Sequence, residues 1–168
     1  GNGALVDAID ALEHTPYEHA IIDKLSCLDR LFASIDADLD RFDRDQMYMV
    51  CGAHSLRGWL IDACKRSNRD AGQLIATMRL LRPLPETAEA FASGVLAKAH
   101  VDVIGANVTD ETMPMFAANE TSMVAALAPL TVGETTVVMR EWAARAEAAL
   151  KRDQPAKPEP EIDRLHVS

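Results

Sequence analysis

The longest regular pattern of the chain lies in its first third, where apolar residues recur at alternating spacings of four and three. This spacing keeps apolar side chains on one side of an α-helix and is typical of a coiled-coil seam. Thr15-Pro16 favours a helix start, and we expect one helix from there to about Met49. Ile22 and Leu31 widen the seam, so the helix could contact more than one neighbour. The seam consists of Ile21, Leu25, Leu28, Phe32, Ile35, Leu39 and Phe42.

This seam has two alternative partners. It could pair with the same helix of a second copy, as a parallel or antiparallel homodimer, or pack against later helices of its own chain. The need of a single domain for a core favours the second alternative. Acidic residues follow the seam, and we interpret them as the solvated surface of the helix rather than as a catalytic carboxylate pair. They are Asp36, Asp38, Asp40, Asp43 and Asp45.

The middle of the chain, Ser55–Arg82, predicts two helices joined by a turn. Ser55 is a suitable N-cap for the first helix. Ser67, with Asp70 three residues later, gives a capping-box pattern for the second helix. We expect Gly72 to let a neighbouring backbone come close. The second helix should bury a stripe made of Ala71, Leu74, Ile75, Met78 and Leu81.

Two helices in this arrangement are typical of a helix-turn-helix. The second helix of such a unit presents its N-terminal residues to the major groove of DNA, and Arg and Gln make bidentate contacts to guanine and adenine. The alternative is a helical hairpin with a solvated basic face, and the pattern alone favours that alternative. The candidate DNA-binding residues are Arg57 on the first helix, Lys65, Arg66 and Ser67 at the turn, and Asn68, Arg69, Gln73 and Thr77 on the outward face of the second helix.

Helical periodicity continues on both sides of these segments, and the predicted fold class is all-α, a multi-helix bundle with a long N-terminal helix and a central helix-turn-helix-like unit. Thr131-x-x-Glu134 is a further capping-box pattern. Additional helices are predicted over residues 4–13, 86–93, 97–107, 111–128 and 133–150. The predicted organisation is an N-terminal helical arm (1–50), a helical domain with the helix-turn-helix (51–150), and a Pro-rich linker that begins a following segment (151–168).

The net charge of −9 argues at first against a nucleic-acid partner. The distribution of charge changes this conclusion, because residues 55–83 hold six bases and two acids, a balance of +4, and the remainder is acidic. A basic segment on a predicted helix-turn-helix suits duplex DNA. The six bases are Arg57, Lys65, Arg66, Arg69, Arg79 and Arg82.

The sequence carries no pattern of an autonomous enzyme. Cys27, Cys51 and Cys64 form no C-x-x-C pair, and the five histidines are scattered, so we expect neither a metal site nor a cofactor. Motifs of hydrolases, nucleotide-binding loops and zinc proteases do not occur, and no small-molecule substrate is indicated. No apolar run approaches the roughly 20 residues of a membrane span and no leader pattern is present, which predicts no membrane association and a cytoplasmic location.

The stretch from Ala71 to Ile104 resembles the ParB-type partition proteins. It contains L-L-x-x-L-P at Leu80–Pro85 and, after one predicted helix, G-x-L-x-x-x-H at Gly94–His100. In those proteins the recognition helix leads into such a segment, so the resemblance implies a DNA-contacting helix before it. The turn departs from the family, because C-K-R-S-N-R-D stands where gly-leu-ser is usual, and the family's groove contacts are not carried over.

A longer resemblance is to the actinobacterial domain of unknown function 222, the 13E12 repeat family. It rests on G-A-H-S-L-R-G-W-L at 52–60, R-L-L-R-P-L-P-E-T-A, G-V-L-A-K-A-H, and R-L-H-V-S at 164–168. It implies the N-terminal helical domain of an HNH-endonuclease-like protein, which positions a nuclease without cutting. His100 fits the family pattern, but we interpret it as a core histidine, and Trp59 and Trp142 as packing residues.

Overall fold

A computed structural model describes residues 2–11 and 17–154, and all regular structure in that part of the chain is α-helical. This confirms the predicted all-α multi-helix bundle. Within the same residues, no helix is both long enough and apolar enough to cross a bilayer. The helices are α1 (Asn2–Ala11), α2 (Tyr17–Arg44), α3 (Met47–Val50), α4 (Leu56–Asp62), α5 (Asn68–Leu81), α6 (Pro85–Ala92), α7 (Lys98–Asn107), α8 (Met113–Ala118), α9 (Glu120–Leu127) and α10 (Val132–Asp153).

The long helix is shorter than predicted. It ends at Arg44 rather than near Met49, because Gln46 adopts a left-handed conformation with a φ of 51°. A residue with that dihedral cannot continue the hydrogen-bond ladder, and the chain restarts as the one-turn helix α3. The predicted start at Thr15-Pro16, the end of the first predicted helix, and the linker beyond Gln154 lie outside the described residues.

The helix predicted over residues 111–128 is two helices, α8 and α9. Asn119 separates them, and its side-chain amide donates to the carbonyl of Met115 at 2.9 Å. This bond competes with continuation of the helix, as asparagine commonly does. The other predicted helices are present, with ends shifted by a few residues. Pro85 is the first residue of α6, where the missing N–H does no harm.

Buried apolar side chains form two clusters. The larger unites α5 to α10 around fully buried residues such as Phe91, Ile104 and Phe116, and Ala33 of α2 belongs to it. The smaller cluster joins the C-terminal half of α2 to α4 and α5. Helices α2 and α5 contribute to both clusters. The buried residues of the smaller one are Leu39, Leu56, Leu60, Ala71, Ile75 and Met78.

The apolar seam of α2 is divided by this packing. Leu39 is buried, Phe42 packs against Trp59 with 4.3 Å between ring centroids and 40° between the ring planes, and Phe32 packs against the larger cluster. The second half of the seam therefore serves the core of its own chain, and Trp59 packs there as predicted. The first half, Ile21 to Leu28, is exposed, and so is Ile35.

Three of the acidic residues on α2 are not the solvated surface that the sequence predicts. Arg82, just after α5, donates from Nε to Asp40 at 2.6 Å and from Nη2 to Asp43 at 2.9 Å. These hydrogen bonds, to Asp43 and Asp40, raise the pKa of the Arg82 guanidinium above its ordinary value. Asp36 is buried, with 5% of its surface exposed. The prediction fails because this flank of α2 faces α5, α6 and α7.

The buried carboxylate of Asp36 is incompletely satisfied, since its Oδ1 has no hydrogen-bond partner. Burial raises the pKa of Asp36 from 3.8 to about 7. The ammonium of Lys98 acts in the opposite direction, and Asp102, which is paired with Lys98 at 2.9 Å, adds to the increase. The chain therefore keeps an ionisable group in its core that favours the protonated form.

His100 is buried and has a partner for each ring nitrogen. Nδ1 accepts from the backbone N–H of Ala97 at 3.0 Å, and Nε2 lies 2.7 Å from the carbonyl oxygen of Leu130. A neutral ring with its proton on Nε2 satisfies both contacts. The side chain thus caps the start of α7 in place of the Ala97 side chain, which has no acceptor, and ties α7 to the segment before α10. This geometry fits the predicted core role.

We expect Asp36→Asn to change the pH dependence of stability. Between about pH 4 and pH 7 the folded chain holds a proton that the unfolded chain has released, so stability falls as pH rises through this window. The amide stays neutral, so the stability of the variant lacks this pH dependence. The difference in free energy of unfolding, variant minus wild type, should therefore be up to about 4 kcal/mol larger near pH 8 than near pH 4. Urea titrations across this range measure it, with exposed Asp38→Asn as the control. An equal effect at all pH values would contradict the assignment.

We expect His100→Ala to lower the free energy of unfolding by about 2–4 kcal/mol. The substitution leaves the Ala97 N–H and the Leu130 carbonyl without partners and removes buried packing. Chemical denaturation at neutral pH measures the loss. His54→Ala, at an exposed position, should change stability by less than about 0.5 kcal/mol. Equal effects of the two substitutions would contradict the role of His100.

Candidate nucleic-acid interface

The α4–α5 unit, residues 55–82, begins each of its helices with a serine cap. Ser55 Oγ accepts from the N–H of Gly58 and Ser67 Oγ accepts from the N–H of Asp70, both at 3.0 Å. Both caps were predicted. The reciprocal bond of a full capping box forms at Thr131 and Glu134, whereas around Ser67 only the half from Asp70 N–H is present.

The turn between the two helices has a defined conformation. Lys65 is left-handed with a φ of 55°, which places the next amide so that Arg66 N donates to the Leu60 carbonyl at 3.0 Å. The side chain of Arg66 folds back, and its Nε donates to the Cys64 carbonyl at 3.1 Å. These bonds fix the direction in which α5 leaves the turn. Leu60 on α4 and Ala71 on α5 are buried in the same cluster, which holds the two helices together.

Arg57 connects α4 to the start of α5. Its Nη1 donates to both the backbone carbonyl and the Oδ1 of Asn68, each at 2.9 Å. The guanidinium lies over Gly72, where a Cβ would stand 3.2 Å from Nη1. Gly72 therefore accommodates a side chain, not the neighbouring backbone that we expected. Arg57 and Asn68, both predicted as DNA contacts, are hydrogen-bonded to each other and stabilise the unit.

The exposed face of α5 differs from the predicted one at its far end. Arg69 and Gln73 are exposed as predicted, but Thr77 is only 8% exposed and its Oγ1 donates to the Gln73 carbonyl at 3.0 Å. Thr77 is eight residues after Arg69, which rotates it by about 80° toward the packed side. The prediction that it faces outward is wrong. The exposed stripe continues instead through Ala76 and Arg79. Gln73, Ala76 and Arg79 follow each other at intervals of three residues, a helical spacing from which the sequence could have predicted this stripe.

The basic residues of this segment fall into two groups. Arg57 and Arg82 are engaged with Asn68 and with α2. All six are exposed, and among the described residues only Arg82 of the six forms an ion pair. The other four have neither the ion pairs of Arg82 nor the hydrogen bonds of Arg57 to Asn68. They are Lys65, Arg66, Arg69 and Arg79.

Acidic residues limit the positive surface on its sides. Asp70 and the buried Asp36 line a cavity of about 270 Å³ together with two cations, Arg66 and Lys98. A second cavity, of about 490 Å³ between α5 and α7, has Gln73 and Arg79 on one wall and acidic residues beyond it. Lys65 and Arg69 lie outside both cavities, at the turn and in the first turn of α5, where exposed cations can contact a phosphate group. No cluster of three or more His, Cys, Asp or Glu side chains that could hold a metal occurs in residues 2–11 and 17–154.

Comparison with known proteins shows which family this chain is part of. No curated protein and no solved structure matches it. The family described as "Domain of unknown function (DUF222)" matches residues 24–164. This range covers most of the chain and includes all of the α4–α5 unit. The chain therefore belongs to the family of the domain of unknown function 222.

Proposed function

We propose that this chain is a non-catalytic DNA-binding domain in which the α4–α5 unit acts as a helix-turn-helix. The observation that carries the proposal is the group of exposed, unpaired cations at the turn and the first turn of α5: Lys65, Arg66 and Arg69. A helix N-terminus adds partial positive charge at the same place. Such a surface binds phosphate, and the helix behind it has the length to lie in a major groove.

Each candidate residue has a distinct role in this proposal. Lys65, Arg66 and the Ser67 hydroxyl contact backbone phosphates, which position the domain without reading sequence. Arg69 and Gln73 follow on the exposed stripe of α5 and reach base edges. Arg57 and Asn68 act indirectly, because their mutual hydrogen bonds hold the start of α5 in place.

The resemblances in the sequence support this assignment. The likeness of residues 71–104 to ParB-type partition proteins favours a DNA-contacting role for α5. The likeness to the N-terminal domains of HNH-endonuclease-like proteins favours a domain that positions a nuclease on DNA. DNA binding requires a location with access to DNA, and we propose the cytoplasm.

The second candidate function is a protein-interaction module without affinity for DNA. It is favoured by one observation, the exposed first half of the α2 seam. The two functions differ in a direct measurement, because only the first requires binding to duplex DNA.

We expect the chain to bind duplex DNA with an affinity that falls steeply as salt rises. Fluorescence anisotropy at several salt concentrations measures this. Lys65→Gly should retain the fold, since glycine readily adopts the left-handed conformation at this position. Loss of its phosphate contact should reduce, by roughly 0.9, the slope of the logarithm of the binding constant against the logarithm of the salt concentration. Arg69→Glu should weaken binding by about tenfold or more.

The matched control is Arg140→Glu, which makes the same charge change at an exposed position of α10, outside the α4–α5 unit. It should reduce affinity far less than Arg69→Glu. Circular dichroism confirms that each variant is folded. Unchanged binding after charge reversal of both Arg66 and Arg69 would refute the proposed interface.

A further inference from the structure

The first half of α2 carries an apolar face that the described part of the chain leaves uncovered. Ile21 is 60% exposed, Leu25 58% and Leu28 46%, although α1 is packed against α2. Ile22, beside them, is 64% exposed. Large apolar residues scattered singly on a surface need no explanation, but a continuous stripe marks an interaction site.

The spacing of this stripe defines a coiled-coil register. Ile21 and Leu28 occupy d positions and Leu25 the a position between them. Beyond this stripe the seam residues Phe32, Leu39 and Phe42 pack into the core of the chain, whereas Ile35 is 39% exposed. Glu18 occupies the a position before Ile21, so the uncovered apolar part is residues 21–31, about one and a half heptads, and it ends where α2 enters the bundle.

Two charged residues of opposite sign flank the stripe at a spacing that does not allow an ion pair within α2. Lys24 occupies a g position and Asp29 an e position. They are five residues apart, whereas side chains on one helix meet at spacings of three or four. Within the described residues neither forms an ion pair. In coiled coils, opposite charges at the g and e positions determine which helices pair and in which orientation.

A parallel pair of identical helices satisfies all of these side chains. In register, a g residue contacts the e residue five positions later in the partner helix. Lys24 then meets Asp29 of the second copy, and Tyr17, which is 90% exposed, meets Ile22. An antiparallel pair, with Leu25 opposite Leu28, would instead place Lys24 against the apolar Leu31.

We propose that residues 21–31 of α2 form a parallel, in-register coiled coil with a second copy of this chain, whose register is fixed by Lys24 and Asp29. Two symmetric ion pairs flank the Leu25 and Leu28 layers. This inference does not depend on the proposed DNA binding, because it concerns a different surface; it gives a partner to the second candidate function, which rests on the same exposed seam.

Sedimentation of the wild-type chain over a wide concentration range tests the association. We expect a monomer–dimer equilibrium. Leu25→Glu should raise the dissociation constant by at least about 100-fold, because it places two carboxylates in one layer. Leu25 is exposed in the single chain, so the variant should retain its helical circular dichroism. A chain that stays monomeric at all concentrations would overturn the inference.

Charge exchange tests the orientation. Lys24→Glu alone and Asp29→Lys alone should each weaken the dimer, and the double variant should restore it. Arg41→Glu, an exposed position of α2 beyond the stripe, makes the same charge change as Lys24→Glu and should leave the dimer unaffected. A dimer that is insensitive to both single exchanges would overturn the parallel register.

Titration of the same samples with duplex DNA separates the two proposals. A monomeric chain that binds DNA would overturn the dimer alone. A dimer that does not bind DNA would overturn the proposed function alone.

Discussion

The contact between α2 and α5 is the constraint on which the rest of the structure depends. Both helices contribute to both apolar clusters, so the two clusters keep a fixed relation only while α2 and α5 stay in register. Leu39 and Met78 are buried in the smaller cluster, and Arg82 joins the end of α5 to Asp40 and Asp43. Apolar burial supplies most of the stabilisation. The ion pairs, which are partly exposed, contribute less and restrict how α2 lies along α5.

This contact also decides which charges remain at the surface. Arg82 neutralises acids of α2, and Arg57 uses its Nη1 to hold the start of α5. The cations that remain gather at the turn and along the exposed stripe of α5. A net charge of −9 therefore coexists with a local positive surface, because much of the acidity lies on α2 and on other helices. The overall charge is a poor guide to what this region can bind.

The sequence predicts the features that depend on local chemistry. It does not predict the features that depend on how neighbouring helices pack. The caps at Ser55, Ser67 and Thr131 follow from hydroxyl groups before apolar runs, and all three form. The break at Gln46 has no such signal, since glutamine is not a residue that usually adopts a left-handed conformation. Asp36 was assigned to the surface of α2, and Thr77 to the face of α5 opposite Leu74 and Met78, but packing against neighbouring helices buries both. Periodicity gives the apolar face of a helix but not which flank a neighbour will cover.

The proposed dimer and the proposed DNA binding are related through the direction of α2. In a parallel pair the twofold axis runs along the coil, so both C-terminal halves of α2, and with them both α4–α5 units, lie at the same end. Duplex DNA would then cross that end of the dimer. The separation of the two units would follow from how far each projects from α2, which the α2–α5 contact fixes. Helix-turn-helix dimers need a separation near one turn of DNA, about 34 Å. The contact that holds each chain together would therefore also set the spacing between the two DNA-binding units.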